Sequence, residues 1–187
     1  MELRSIMEEY GAILKGHFIL TSGRHSNIYL EKFRLLENPE MVDKIGEEIA
    51  KLIKRIEIDV VFGAAIGGIL ISYGAAKALK TRNVFAERVD GELKLRRGFK
   101  LNQGEKVLIV EDIITTGGSV EELLEIVKYY HAEVASVVCI ADRTENGIDF
   151  GPNTKSLMRF PAITWKPENC PLCKKNEPLT SRGRTGK

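Results

Sequence analysis

Two adjacent acids, Glu111 and Asp112, end an apolar run in the stretch from Val107 to Ser119, VLIVEDIITTGGS. Ile113 and Ile114 follow them, and then Thr115, Thr116, Gly117, Gly118 and Ser119 close the segment. A plain turn needs neither the paired carboxylates nor so many small hydroxyl and glycine residues. Consecutive backbone N–H groups in a glycine-rich loop at a helix N-terminus favour a dianionic phosphate, and the helix dipole assists. The hydroxyls of Thr115, Thr116 and Ser119 add donors. Two carboxylates repel a phosphate but accept hydrogen bonds from neighbouring sugar hydroxyls, so one loop fits a ribose bearing a 5-phosphate. The plainer alternative is a capped strand–helix junction, because Ser119 and Glu122 have capping-box spacing. No Walker-type or dinucleotide fingerprint is present.

Other chemistry-bearing residues are more scattered. Cys170 and Cys173 form a CPLC pair, which supplies half of a tetrahedral metal site. With no second pair and no histidine close by in sequence, it reads as a reduced, partly buried turn, the alternative being a site shared across a dimer. Cys139 lies in an apolar run and reads as core. His17, His25 and His131 are dispersed, and only His25, beside a Ser-Gly-Arg turn, lies near the phosphate loop in the expected fold.

The elements that must position these residues follow from periodicity. The spacing of Leu3, Ile6, Met7, Tyr10 and Ile13 predicts a helix, and HFILTSGRHSNIYLE predicts two short strands around the Ser-Gly-Arg turn. Asn38-Pro39 predicts a helix start, followed by the apolar face of Met41, Ile45, Ile49, Leu52 and Ile53. Strands and helices then alternate: IDVVFG, GGILISYGAAKAL, NVFAE, KVLIVED, SVEELLEIVKYY and EVASVVCIAD. Continuous apolar strands separated by helices predict an α/β fold with a mostly parallel, doubly wound sheet. In such a sheet Glu111 and Asp112 are expected at the lip of a strand, where ligands bind.

Composition bounds the function. The 187 residues suit one domain, and 43% hydrophobic with 29% charged content suits a globular protein with a real core. A net charge of +2 gives no composition-based case for nucleic acid. Three cysteines argue against a disulfide framework and for a reducing, cytoplasmic setting. The N-terminus lacks the uninterrupted apolar core of a signal peptide. The uncharged run from Val60 to Ala76 holds Gly63, Gly67, Gly68 and Gly74, which suits a strand, loop and packed helix better than a membrane span. The tail after Trp165 is polar, and its last eight residues are expected to be disordered.

VLIVEDIITTGGS resembles the phosphoribosyl pyrophosphate (PRPP) signature of the type I phosphoribosyltransferases. Three further stretches resemble the orotate phosphoribosyltransferase family, so the likeness runs to about residue 162. FILTSGRHSNIYL resembles its base-covering hood, FGAAIGGI its pyrophosphate loop, and ADRTENG its Asp-Arg turn. The resemblance implies the type I fold: a hood with the N-terminal helix over 1–37, an α/β core over 38–163 and a tail over 164–187. It implies PRPP binding by Glu111 through Ser119 and a pyrophosphate loop of Ala65, Ile66, Gly67 and Gly68. It further implies orotate binding by Arg143 and Thr115, with Tyr29 a hood residue that could face the ring. A guanidinium fork suits a carboxylate; the alternative for Arg143 is a surface arginine paired with Asp142 or Glu145.

The basic insert Arg88–Lys100, with an Asp90-Gly91 hairpin turn, is expected to act as a mobile catalytic loop through Arg88 and Lys94. A solvated β-hairpin is the alternative. The resemblance also implies Mg²⁺ held mainly through PRPP rather than by protein ligands, and a homodimer whose mobile loop reaches the neighbouring site. Three departures stand out: Gly67 where the family often has lysine, Thr21 where it often has lysine before the Ser-Gly-Arg turn, and no histidine in the mobile loop. The rival readings are transfer to adenine or xanthine, which do not need Arg143, and a PRPP-sensing regulator, which generally carries a DNA-binding segment.

Overall fold

Alternating apolar runs and amphipathic segments close, in a computed structural model, into two sheets of different size. The structure describes residues 3–20, 22–151, 153–161 and 163–182. The elements are α1 (Leu3–Glu9), β1 (Ile13–Ile19), β2 (His25–Leu30), α2 (Phe33–Leu36), α3 (Pro39–Leu52), β3 (Val60–Ala64), α4 (Gly67–Leu79), β4 (Arg82–Val89) and β5 (Glu92–Leu95). They continue as β6 (Lys106–Ile114), α5 (Gly118–Tyr129), β7 (Glu133–Asp142), β8 (Thr154–Arg159), β9 (Thr164–Trp165), a 3₁₀ turn (Pro167–Asn169), α6 (Pro171–Lys174) and β10 (Leu179–Ser181).

The large sheet has the order β5-β4-β3-β6-β7-β8 and is parallel except for its β5 edge. Its inner strands are apolar on both faces because helices cover both. Met7, Ile45, Ile49, Ile71 and Leu108 lie in one buried cluster, and Phe62, Ile109, Leu123 and Val137 lie in the other. The helix expected at Asn38 forms: the Asn38 side chain accepts from the Glu40 and Met41 amides at 3.0 and 3.3 Å, with Pro39 in the first turn. Among the described residues, no helix is long and apolar enough to cross a membrane. Val60–Ala76 instead supplies β3 and most of α4.

The small sheet has the order β10-β1-β2-β9. Its centre is the expected hairpin from the N-terminal segment, whereas both edges come from the tail. α1 packs elsewhere, since Leu3 and Met7 join the core of the large sheet.

Three local expectations fail for identifiable reasons. β6 runs on to Ile114, because Ile113 and Ile114 continue the pairing with Ala141 and Asp142 on β7; Glu111 and Asp112 therefore lie inside the strand rather than at its lip. The capping box does not form. α5 begins at Gly118, its N-cap is Gly117 with φ +91°, and Glu122 is drawn instead to Arg88 and the Leu93 amide. In the tail, Thr180 and Ser181 are not disordered but pair with Phe18 and Ile19. Residues 183–187, and Thr21, lie outside the described residues.

Candidate active site

The C-terminal ends of three adjacent parallel strands converge. β3 leads into Ala65, Ile66, Gly67 and Gly68, β6 into Thr115 through Ser119, and β7 into the Asp142-Arg143-Thr144 turn. This is the edge at which open α/β sheets bind ligands. The Arg143 amide donates to the Ile114 carbonyl at 2.9 Å, which ties the second loop to the third. The Ala65–Ile66 peptide is cis.

The phosphate-type loop is built as its composition demands. Thr115, Thr116 and Gly118 are exposed, while Gly117 is buried in a left-handed conformation that favours glycine. A Cβ at Gly117 would also lie 2.6 Å from Phe150 Cζ. The first-turn amides of α5 have no intrahelical acceptors, so they face the loop as donors.

Both acids are buried, with Glu111 8% and Asp112 4% exposed. Glu111 Oε1 accepts from the Asp112 amide at 2.9 Å, and Asp112 Oδ1 accepts from the Ile113 amide at 2.6 Å. Asp112 Oδ2 takes the ammonium of Lys32, which comes from the connection after β2. Nothing in the sequence pointed to Lys32: it stands 80 residues from its partner, and only the tertiary fold joins them. Lys32 also bears on a departure noted above. A Cβ at Gly67 would collide with the Asp112 carboxylate and sit 2.9 Å from Lys32 Nζ. A lysine side chain thus has no room at Gly67, and the hood supplies an ammonium to the same spot. Gly67→Ala should destabilise the protein by about 1–3 kcal/mol through this crowding of a buried, short side chain. A denaturant melt checks it, and an unchanged midpoint would mean the loop relaxes freely.

Arg143 is the least ordinary group in the site. It is 7% exposed, and its Nε and Nη2 have no hydrogen-bond partner among the described residues. The expected alternative of a surface arginine paired with Asp142 fails. Asp142 Oδ1 accepts from the Thr144 amide and hydroxyl at 2.8 and 2.7 Å, and its other oxygen lies 3.7 Å from Arg159 Nε. Burial pulls the Arg143 pKa down, and Tyr29 partly offsets that. The Tyr29 hydroxyl is pushed up first by burial and then by the charge of Glu31, with Asp112 and Arg143 also acting on it. β2 thus brings the hood tyrosine within electrostatic reach of both Asp112 and Arg143. An unpaired buried cation beside an aromatic hydroxyl is a site for an anion.

The basic insert folds as an edge hairpin in this structure. Asp90 and Gly91 take positive φ at its turn, Val89 pairs with Glu92, and Leu93 is buried. Its cations are largely occupied: Arg88 donates to both oxygens of Glu122 at 2.8 and 3.2 Å and to the Gly91 carbonyl. Arg97 pairs with Glu87 at 2.8 Å, and Lys94 lies 3.3 Å from Glu92.

Two smaller expectations divide. Cys139 is fully buried core, and burial, reinforced by Asp142 and Glu111, drives its thiol pKa far up, so it is inert. The expectation that no histidine completes the CPLC pair is overturned, because His17 lies against both cysteines and His25 against Cys173. The two histidines come from the hood hairpin, more than 140 residues earlier in the chain, so local spacing could not reveal them.

Residues 33–149 match the phosphoribosyl transferase domain family. An orotate phosphoribosyltransferase of Thermotoga maritima is 47% identical over 184 residues, covering 98% of each chain. One from Caldicellulosiruptor bescii is 46% identical over 178 residues, covering 95% of this chain and 94% of that one. Among solved structures, orotate phosphoribosyltransferase from Mycobacterium tuberculosis has a TM-score of 0.69 at 22% identity, covering 85% of this chain and 95% of that one. That last likeness is one of fold.

Proposed function

The chain belongs to the orotate phosphoribosyltransferase family, and from that premise we propose that it transfers ribose 5-phosphate from PRPP to N1 of orotate, a step of pyrimidine nucleotide synthesis. The observation that carries this reading is the buried Arg143 guanidinium, whose Nε and Nη2 have no partner among the described residues. Orotate brings a carboxylate, which supplies the missing acceptors in a bidentate pair. Adenine and xanthine do not. Thr115 and Tyr29 complete the base side of the site.

The reaction follows from placement. N1 of orotate forms its bond to C1 of PRPP as the C1–O bond breaks, pyrophosphate leaves with the bonding electrons, and the N1 proton goes to solvent. Asp112 and Glu111 hold the ribose hydroxyls, and the amides and hydroxyls from Thr115 to Ser119 hold the 5-phosphate. Ala65, Ile66, Gly67 and Gly68 face the pyrophosphate, with Lys32 adding positive charge. Catalysis thus rests on positioning and on charge neutralisation at the leaving group. Mg²⁺ brought in with PRPP would supply further neutralisation of the leaving group. Each Asp112 oxygen already accepts one donor, Lys32 or the Ile113 amide, and keeps a second lone pair for a ribose hydroxyl.

Arg88 and Lys94 reach pyrophosphate only if the hairpin rearranges, because Glu122 and the Gly91 carbonyl hold Arg88. On this reading Arg88→Ala raises the KM for PRPP about tenfold and leaves that for orotate unchanged. Unaltered PRPP kinetics would leave Arg88 as a staple of the hairpin. A homodimer is supported by the exposed apolar stripe Ile66, Leu70 and Tyr73, which starts in the pyrophosphate loop, with Phe33 exposed on the adjoining α2; sedimentation at the monomer mass would remove it. The free thiols of all three cysteines suit a cytoplasmic setting.

Turnover assays with PRPP and orotate, adenine or xanthine, each with and without Mg²⁺, test the assignment. Mg²⁺-dependent orotidine 5′-monophosphate formation is expected, and a preference for adenine or xanthine would overturn it.

A further inference from the structure

The tail crosses one face of the hood sheet, and four metal-ligand side chains meet there. His17 on β1 and His25 on β2 are diagonal neighbours, because His25 pairs with Ile19, two residues beyond His17. After β9 the chain passes through the 3₁₀ turn and α6 before returning as β10 beside β1. Cys170 precedes α6 and Cys173 lies within it, so one turn presents both thiols to the histidines.

The geometry points to a structural zinc site formed by His17, His25, Cys170 and Cys173, which clamps the C-terminal tail onto the hood. All four ligand atoms lie within 4.8 Å of one another. Sulfur-to-nitrogen distances are 3.5 Å (Cys170 to His17 Nε2), 3.7 Å (Cys173 to His17 Nε2) and 3.3 Å (Cys173 to His25 Nδ1), and the two nitrogens are 2.9 Å apart. Zn–S bonds of about 2.3 Å and Zn–N bonds of about 2.0–2.1 Å place tetrahedral ligand atoms roughly 3.3–3.8 Å apart. The three sulfur–nitrogen contacts meet that spacing; binding requires the nitrogen pair to open by a few tenths of an ångström and the widest pair, within 4.8 Å, to draw in.

An independent contact fixes the ligand tautomer. His17 Nδ1 lies 2.9 Å from the Glu177 carbonyl. A carbonyl only accepts, so Nδ1 carries the proton and the neutral ring turns a lone pair on Nε2 toward His25 and the two sulfurs. This is the outer-shell arrangement that orients a metal-bound histidine. His17, His25 and Cys170 are buried, and Cys173 is partly so. Lone pairs converging in a buried space, with both cysteines unbridged, call for a cation. Two thiolates balance the charge of one Zn²⁺, soft sulfur and imidazole ligands select it over Mg²⁺, and four protein ligands leave no open position, the mark of a structural site.

The clamp sits where it matters for the fold of the hood. β9 and β10 are only two and three residues long, too short to hold the edges alone. The metal fastens their connection to the strands that carry Tyr29 and lead to Lys32.

The test uses the full chain purified without chelators. Metal analysis should find about one zinc per chain, and the Cys170→Ser/Cys173→Ser variant less than about a tenth of that, while Cys139→Ala keeps it. If the double variant is insoluble, wild-type protein stripped by a chelator should melt roughly 10 °C or more lower and recover with equimolar Zn²⁺. Co²⁺ added to the stripped chain should give the thiolate charge-transfer and tetrahedral ligand-field bands. Protein from zinc-replete cells that carries no zinc, a stripped chain that shows no Co²⁺–thiolate band, or an isolated chain with a Cys170–Cys173 disulfide would each overturn the proposal.

Discussion

Arg143→Met is expected to raise the KM for orotate by roughly 10²–10³-fold, and that for PRPP by less than about threefold. The size follows from losing a bidentate, charge-assisted pair in a site shielded from water, worth on the order of 3–4 kcal/mol. The same substitution should leave the melting temperature of the unliganded protein unchanged or a few degrees higher. The reason lies in the guanidinium itself: two of its nitrogens are buried without acceptors among the described residues, and burial has already pulled the pKa of the group down. Replacing an unpaired buried cation with a flexible apolar side chain removes that cost. A structural arginine would behave in the opposite way, with a lower melting temperature and equal damage to both substrates. Steady-state kinetics with each substrate varied, together with a thermal melt, separate the two.

Asp112→Asn should reduce kcat/KM for PRPP by about 10–100-fold, since a carboxylate bonding a sugar hydroxyl contributes about 1.5–3 kcal/mol. Its fold should survive, because the amide still accepts from the Ile113 N–H. One complication can be resolved by a second variant. Asp112 also holds Lys32, whose side chain is 30% exposed, so the loss could come from freeing that ammonium. Lys32→Met separates these: if Asp112 acts on the ribose, Lys32→Met is the milder change, and if Asp112 only anchors Lys32, the two losses are equal. Unchanged PRPP kinetics in Asp112→Asn would remove the ribose role altogether.

What the sequence allowed depended on whether the signal was local. α4 over Gly67–Leu79 and β7 over Glu133–Asp142 match the expected segments residue for residue, because apolar continuity and glycine or aspartate boundaries are written along the chain. Proline after a capping asparagine likewise located α3. β9 and β10 were missed because strands of two and three residues carry no periodicity and exist only through their partners on β2 and β1. The site divides in the same way. The segment from Glu111 to Ser119 announced itself by composition. Lys32 beside Asp112, and His17 and His25 beside the CPLC pair, are meetings across 80 or more residues that pattern cannot reach. Glu122 was misread for a related reason, since α5 starts one residue before Ser119, with Gly117 as its cap, and Arg88 on β4 takes the Glu122 carboxylate.

The central claim is that the buried Arg143 fork receives the substrate carboxylate. Its most direct test is a cycle crossing wild type and Arg143→Met with orotate and uracil, the same ring without the carboxylate, using kcat/KM at fixed PRPP and Mg²⁺. The cycle cancels the intrinsic reactivity of each base. A coupling of about 2–4 kcal/mol, with the wild-type preference for orotate collapsing in the variant, is the predicted result. Additive losses, with the preference intact after Arg143 is gone, would contradict the account.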